Sequence, residues 1–526
     1  MDEYVFGANI LENLTTGMYQ DSKVSYREYI QNACDQIDKA VELGILESIS
    51  EGQIEIWLNQ DTRTISIEDN ATGIKQSDFE KTLANIADSS KVLGTDKGFR
   101  GIGRLCGLAY CRELVFTTTA LNENIKSVMH CDACKMRELL SRNVSGEKFT
   151  AGEVLKEIYR FEYINDNSIK DEHWFKVELI GINEENEDLL NFDEVKKYLS
   201  FTAPVAYQNT FPYRTEIYKH AKQIKYRIDE YSIRLNGEDV FKKYTTKFST
   251  SKGDDEIFGV EFKDFYDENG NLIMWLWFGM SRFKAIISKE SEMRGVRLRK
   301  ENIQIGNEDA LQKLFKEDRG QHYYIGELFA VSKDLIPNSQ RDYFNENPMR
   351  VWFETELRRY FREALTKVYY DASTANNSYK KIDDYNKKAA EHKEKTNNHE
   401  YVDEQHMSNA EQGLKQAAKD AKKAQDTIEK MKQSSPTEAG LLINRVIERI
   451  ENVRAKETGV AAKGKTVIIE PPVSKPKSKM PLRTDKLSRC NKQERKLISK
   501  IFSIILNSTD EDTAEKIIKS IEEEFK

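Results

Sequence analysis

The period of apolar and polar positions changes several times along the chain, and each change marks an element. Residues 7–20 follow an amphipathic helical spacing; after a polar turn at Asp21 and Ser22, a second helical pattern runs from Ser25 to Lys39. Tyr29, Ile30, Ala33, Ile37, Ala40 and Val41 make that helix apolar over much of its circumference, which predicts packing on more than one side. Glu28, Asn32 and Asp35 interrupt the apolar surface at i, i+4 and i+7, so a carboxylate, an amide and a second carboxylate share one stripe. Such groups need partners, because burying a carboxylate unpaired costs several kcal/mol or shifts its pKa. A metal ion and a phosphate are natural ones. Ser25 followed by Glu28 also fits a capping box, in which Glu28 only reaches back to the Ser25 amide.

The period then shortens to two. Gln53–Leu58 and Thr64–Asp69 alternate around the turn Asn59-Gln60-Asp61-Thr62 and predict a β-hairpin. Ile65, Ile67 and Asp69 have the same parity, so Asp69 points where the isoleucines point. The turn Asn70–Ile74 follows, and Asp69 can make an Asx turn there. Its inward parity also suits an acceptor for an exocyclic amine, the group that separates adenine from guanine. A short helix is expected near Phe79–Ala87. Beyond it Gly94, Gly98, Gly101, Gly103 and Gly107 interleave with Lys91, Lys97, Arg100 and Arg104, and the apolar stretch Leu105–Cys111 predicts a helix beginning near Gly103. Glycines allow close backbone approach and helix N-terminal amides attract anions, so this segment can wrap phosphates or simply be a mobile connection. It is not a Walker A sequence, and no strand leads straight into it as a Rossmann fingerprint requires.

Leu114–Thr119 and Trp174–Ile180 read as further strands of a mixed sheet with helices on one face. From Ile224 to Met280 the pattern is strand-rich, at Tyr231–Leu235, Glu256–Phe262 and Leu272–Phe278. Ser288–Gly306 sets Arg294, Arg297, Arg299 and Lys300 among apolar residues and reads as an edge strand with one charged face. An amphipathic helix spans Asn347–Ala372. Residues 373–433 are rich in Lys, Glu, Gln, Asn and Ala, with too few apolar positions for a core, and predict a solvated helix or coiled coil. Ser434-Ser435-Pro436 interrupts it, and Leu441–Val453 resumes the helical pattern. The segment 455–500 is strongly basic and holds Pro471, Pro472, Pro476 and Pro481, the marks of a flexible linker that can touch nucleic acid or act as a spacer. Leu497–Phe525 forms a final amphipathic helical pair suited to protein docking or dimerisation.

Composition narrows this picture. At 526 residues the chain exceeds one ordinary core and suggests about three domains. The net charge of −7 designates no polyanion as partner of the whole molecule. No apolar run has membrane-spanning length and the start lacks a signal pattern, so the expectation is a cytoplasmic protein without membrane contact. The six cysteines form no secreted disulfide framework. Cys131 and Cys134 make a single Cys-x-x-Cys with no second pair at zinc-ligand spacing.

Together, the Glu28 helix, the Asp69 turn and the glycine segment resemble the three ATP-site motifs of the GHKL superfamily (gyrase, heat-shock chaperone, histidine kinase, MutL), in the same order and spacing. Arg27-Glu28-Tyr29-Ile30-Gln31-Asn32-Ala33-Cys34-Asp35 is similar to the Arg-Glu-Leu-Ile-Ser-Asn-Ala-Ser-Asp of the ninety-kilodalton heat-shock chaperones, and Gly98-Phe99-Arg100-Gly101-Ile102-Gly103 to their Gly-x-x-Gly-x-Gly lid motif. The resemblance implies an α+β chain with a Bergerat-type ATP-binding α/β sandwich at 1–205, an α/β middle domain at 206–372, a helical or coiled-coil segment at 373–455, a basic linker at 456–486 and a helical pair at 487–526. It implies an ATPase with ATP and Mg2+ as cofactors: Glu28 as general base, Asn32 as magnesium ligand, Asp35 in support, Asp69 and Gly73 at adenine, and Lys91, Gly98, Arg100, Gly101, Ile102 and Gly103 around the phosphates. Leu335–Phe344 resembles the middle-domain loop whose arginine reaches the γ-phosphate, with one extra residue between Ser339 and Arg341; this makes Arg341 the second catalytic candidate, beside the alternative of a surface arginine paired with Asp342. Ala71 replaces the first glycine of the family's Asp-x-Gly-x-Gly turn, and the family's Gly-Thr is not evident near His173–Ile180. The expected function is an ATP-dependent conformational switch, chaperone-like, working as a homodimer on a protein client. The alternatives are a MORC- or MutL-like clamp on DNA or RNA, held through the basic linker, and an ATP sensor with little turnover.

Overall fold

The apolar face around Glu28 folds as a long helix, α2 (Val24–Glu42), preceded by a short lead-in helix, α1 (Asn9–Thr15). The computed structural model describes residues 6–15, 17, 21–85, 103–397, 401, 404–433, 437–458, 484, 487 and 489–525. These divide into two compact units, Met1–Ser281 with Ile286–Arg362, and Arg282–Ala285 with Glu363–Lys526.

In the first unit, an eight-stranded mixed sheet contains β1 (Gln53–Asn59), β2 (Thr64–Asp69), β3 (Glu113–Thr119), β4 (Ile125–Asp132), β5 (Tyr159–Asn165), β6 (Trp174–Ile180), β7 (Ser232–Leu235) and β8 (Glu238–Asp239). Their spatial order is β5-β4-β3-β6-β2-β1-β7-β8, antiparallel throughout except for β1 against β7. Helices α3 (Gln76–Ala84), α4 (Ala133–Val144), α5 (Ala151–Ile158) and α6 (Phe192–Thr202) belong to the same region. Ile30 and Ile37 of α2 share one core with Ile54, Ile56, Ile65, Ile67, Phe116 and Val177, so the period-two residues of four strands meet the period-3.6 stripe of the helix. The alternative of a capping box does not form: Ser25 Oγ donates to Ser22 O at 2.8 Å, and the cap residue makes no side-chain bond. That leaves the Glu28 carboxylate for other work.

Three boundaries differ from the sequence reading. Tyr231–Leu235, assigned there to the middle domain, belongs to the N-terminal sheet: β7 takes the free edge of β1, Arg234 pairs with Glu55 at 3.1 Å, and the Tyr231 hydroxyl donates to Asp38 at 2.8 Å. The helix expected near Gly103 is a 3-10 helix, Gly103–Ala109. The strand expected at Glu256–Phe262 is two elements. The hairpin β9 (Lys247–Thr250) and β10 (Gly253–Glu256) ends before β11 (Gly259–Tyr266) begins.

With α7 (Arg214–Gln223) before it, the second sheet of this unit adds β12 (Leu272–Met280), β13 (Gly295–Lys300), β14 (Ile303–Gln304) and β15 (Ile325–Ala330) in the order β11-β12-β15-β13-β14. Here the edge-strand expectation for Ser288–Gly306 is overturned. Strand β13 lies between β15 and β14 and every residue of it is buried. Its cations are bonded within the chain. Arg299 bonds Glu327, Asn302 O at 2.9 Å and Phe201 O at 2.8 Å; Arg297 bonds Gln304 and lies 4.3 Å over the Phe201 ring; Lys300 donates to Ser332 O at 2.7 Å.

Helix α8 (Pro348–Tyr360) starts with Asn347 as cap and proline in the first turn. The helix expected over Asn347–Ala372 is interrupted by a π turn at Phe361–Leu365, within which the two units divide. In the second unit α9 (Thr366–Asn397), α10 (Glu404–Gln433) and α11 (Glu438–Thr458) pack on one another. They do bury a core, contrary to the compositional expectation, because Ala421 and Ala424 let α10 approach closely while Ile382, Tyr385, Ile443, Val446 and Ile447 fill the space. α12 (Lys492–Ser508) and α13 (Glu511–Glu524) form a hairpin around Phe502 and Ile518. Most of the basic linker lies outside the described residues. No described helix is long and apolar enough to cross a membrane.

Candidate functional site

Helix α2 carries the site's polar stripe because its remaining faces are committed to the core. Asp35 is buried, while the side chain of Glu28 keeps 12% exposure. The Glu28 carboxylate lies against Gly103, where a Cβ would overlap Oε2 and push the carboxylate aside. The end of the glycine segment is therefore seated on the carboxylate. Tyr29 holds it there: its buried hydroxyl donates to Arg104 O and accepts from Gly107 N, both at 3.0 Å. Lys91, Gly98, Arg100, Gly101 and Ile102 lie outside the described residues.

Asp69 ends β2 on the core-facing side, as its parity requires. The Asx turn and the inward placement are both present, since Oδ1 accepts the Ala71 amide at 3.1 Å while the residue is 5% exposed. Burial pushes the Asp69 carboxyl up to about 7, against the lowering effect of the Ala71 bond. The following turn is braced from three sides. Thr72 Oγ1 donates to Gln36 at 2.8 Å, His173 Nδ1 bonds Ala71 O at 2.6 Å, and Ile74 N donates to Thr118 Oγ1 at 3.0 Å. Gly73 adopts a φ of +61°, and a Cβ there would collide with Thr119 O. Across the β2–β6 pair the residue opposite Asp69 is Phe175, so the position offers an apolar wall and no hydroxyl.

Arg341 is brought to the same stripe from a loop next to the second sheet. It is 8% exposed, and burial lowers its pKa while the Glu28 and Asp35 carboxylates oppose that shift. Its backbone takes the left-handed region at φ +54°, an uncommon conformation for a non-glycine residue. Two bonds fix it: Gly306 N donates to Arg341 O at 2.8 Å, and Arg341 N to Asn338 O at 3.1 Å. Next door, Arg27 Nη2 donates to Gln340 O at 3.0 Å and lies 3.4 Å from Glu28. The alternative of a surface arginine is excluded by this burial.

Sequence reading passed over Gln31. It is 1% exposed, and among the described residues neither amide atom has a hydrogen-bond partner. Its spacing was the available signal, one turn from both Arg27 and Asp35. Tyr29, Gln36 and His173 were missed too, because hydroxyl, amide and ring contacts to distant loops have no period. The Cys-x-x-Cys pair is split, Cys131 buried in β4 and Cys134 exposed on α4, and no group of metal-binding side chains is found among the described residues.

The arrangement offers a buried acceptor, a glycine approach beside a carboxylate and a converging cation. Residues 22–160 match the family of histidine kinase-, DNA gyrase B-, and HSP90-like ATPases. Segments of this chain are also similar to the chaperone protein HtpG: 31% identical over 85 residues in Geobacter sulfurreducens and 33% over 85 residues in Helicobacter hepaticus, 15% of this chain in both. In Ruthia magnifica the identity is 28% over 100 residues, 18% of this chain. The chain spans only 13%, 14% and 16% of the length of these three relatives, respectively. The N-terminal region of the chain is thus a GHKL-type ATPase domain, similar to the HSP90-like branch of that superfamily.

Proposed function

We propose that the chain is an ATP-driven conformational switch of chaperone type, which hydrolyses ATP to ADP and phosphate as its two sheet-bearing lobes close on the nucleotide. The observation that carries this reading is Arg341, buried against Glu28 and Asp35 although it is 313 positions from Glu28 in the chain. A cation supplied by a distant segment makes the site complete only when that segment is docked, which couples chemistry to conformation.

In this reading Glu28 accepts the proton of the attacking water, Arg341 stabilises charge on the transferring phosphoryl group, and Asp69 accepts from the adenine amine. Gly73 leaves room at adenine and Asp35 supports Glu28. Lys91, Gly98, Arg100, Gly101, Ile102 and Gly103 close over the phosphates. Asn32, a helix-borne oxygen ligand beside the phosphates, would hold Mg2+, and the ion would neutralise phosphate charge. The glycine approach at Gly103 and the raised pKa of Asp69 fit a bound nucleotide better than an empty core.

A homodimer is supported by the second unit. Leu497, Ile501 and Ile504 of α12 are 61%, 41% and 64% exposed on one stripe, beside Ile517 and Phe525 of α13. Helix α12 is basic and α13 acidic in sequence, so an antiparallel second copy places opposite charges together while covering the stripe. We place the protein in the cytoplasm with a protein client, in keeping with its six free cysteines and its HtpG-like segments.

Steady-state ATP hydrolysis by wild type and Glu28→Ala, each with and without duplex DNA, tests the reading. Glu28-dependent turnover indifferent to DNA is expected. DNA-stimulated turnover, lost on deleting 455–490, would instead make the protein a nucleic-acid clamp, and ATP binding without turnover would make it a sensor.

A further inference from the structure

The loop that carries Arg341 is closed at its base by its own bonds and held at its tip by another element. At the base, Asn345 N donates to Ile336 O at 2.8 Å and Asn338 N to Tyr343 O at 2.9 Å, while Leu335 and Phe344 are buried at the two ends. Bonds of this kind fix where a loop starts and finishes, but they let its tip pivot. The position of a side chain at the tip then depends on what meets the tip from outside.

For Arg341 that element is the hairpin of β13 and β14. The chain leaves β14 at Gln304, and Ile305 N continues the ladder by donating to Leu298 O at 2.9 Å. Gly306 then enters the left-handed region at φ +67°, and its amide donates to Arg341 O at 2.8 Å. A Cβ on Gly306 would come within 2.5 Å of Asp342 O, a backbone atom, so two backbones meet here without room for a side chain. The carbonyl of the same glycine is held as well. Gln304 Nε2 donates to Gly306 O at 3.0 Å, and Gln304 Oε1 accepts from Arg297 at 2.8 Å. Gln304 is buried and uses both ends of its amide within the chain. Since Arg297 belongs to the interior strand β13, a continuous series of hydrogen bonds runs from the second sheet through Gln304 and Gly306 to Arg341.

We propose that Gln304 and Gly306 are positioning residues for Arg341, so that Arg341 travels with the second sheet as one piece instead of swinging on its own loop. The effect on turnover rests on the ATPase reading above; the coupling itself does not. A cation stabilises a transferring phosphoryl group only at the right distance, and a displacement of about 1 Å can cost on the order of a hundredfold in rate. Both residues act through Arg341, so their loss matters only while Arg341 is present.

The test is a cycle of four full-length proteins, wild type, Gly306→Ala, Arg341→Ala and the double variant, read as kcat and KM for ATP. Gly306→Ala should lower kcat at least tenfold with KM within twofold, and should cost nothing more when added to Arg341→Ala. A kcat within twofold of wild type, or the same fractional loss in both backgrounds, overturns the proposal. Should Gly306→Ala not fold, Gln304→Ala takes its place in the cycle, with an expected loss of about threefold that vanishes in the Arg341→Ala background and is overturned by the same two outcomes. Hydrogen exchange of the nucleotide-free chain separates the proposal from the ATPase reading. In Gln304→Ala the amides of Gly306 and Arg341 should exchange at least tenfold faster than in wild type. Unchanged exchange overturns the coupling even where ATP is hydrolysed; faster exchange in a protein that hydrolyses no ATP upholds the coupling and sinks the ATPase reading alone.

Discussion

Two buried polar clusters in the first unit are built on opposite principles. Around Glu327 everything is paired. The carboxylate receives Arg299, Lys242 at 2.9 Å, and the hydroxyls of Tyr207 and Tyr244, all of them buried. Burial pushes Glu327 up, yet Arg299 and Lys242 hold it down to about 2, while burial beside Arg299 brings Lys242 to about 7. Around α2 the accounts are open: Asp69 is raised to about 7, Gln31 has an orphaned amide, and Arg27 an idle Nε–H. A cluster that satisfies itself serves the fold, since partial satisfaction would cost more than an apolar replacement. A cluster that does not can be completed by water or by a ligand.

The comparison is most severely tested at Glu327. Glu327→Ala leaves Arg299 and Lys242 buried without a counter-charge and should cost about 3–5 kcal/mol, read as a fall in the denaturant midpoint. A loss below about 1 kcal/mol would mean that water or relaxation already compensates this cluster, and the contrast would collapse. Glu28→Ala should behave in the opposite way. Stability falls less than in Glu327→Ala, because Asp35 still faces Arg341, and ATP still binds, but turnover drops on the order of a hundredfold, as when a general base is removed. Unchanged turnover would return Glu28 to a merely structural role.

This contrast explains what could be read in the sequence. The stripe Glu28, Asn32, Asp35 was legible because a helix imposes its period locally, and Asp69 because strand parity does the same. The network around Glu327 was not, since Arg299 and Glu327 share no local pattern, and an alternating Gly-Val-Arg-Leu-Arg looks the same at an exposed edge as at an interior position with partners. Arg341 needed the resemblance as well as the motif, because its placement depends on a left-handed turn fixed by Gly306. The core of α9–α11 was hidden in alanines, which count little in composition and much in close packing.

Asp69 sharpens the contrast through pH. The folded state holds the Asp69 proton more tightly than the unfolded chain, whose ordinary value is about 3.9. Its contribution to the stability of the nucleotide-free protein is therefore present below that value and lost as pH rises to about 7. Asp69→Asn should flatten this decline in a series of thermal midpoints from pH 5 to 8. The same substitution should weaken ATP about tenfold, because the adenine amine loses its carboxylate acceptor. ATP affinity in the wild type should rise with pH across the same window. If affinity is unchanged in the variant, Asp69 is only a turn residue and its burial has no ligand to explain it.

Tyr29 lies between the two principles and gives the finest test. Its hydroxyl is satisfied within the chain, by Arg104 O and Gly107 N, yet what it satisfies is the segment that seats Gly103 on Glu28. Tyr29→Phe keeps the ring and leaves one buried amide and one carbonyl without their partner, a cost of about 1–2 kcal/mol. If the hydroxyl serves the fold alone, the denaturation midpoint falls and turnover per folded molecule is preserved. If it serves the site, turnover falls about fivefold at saturating ATP while Glu28→Ala, already without its base, shows no further loss on adding Tyr29→Phe. Since the bonded atoms sit one turn from Gly103, a shift of a few tenths of an ångström there changes the distance between carboxylate and phosphate. The second outcome is the one expected.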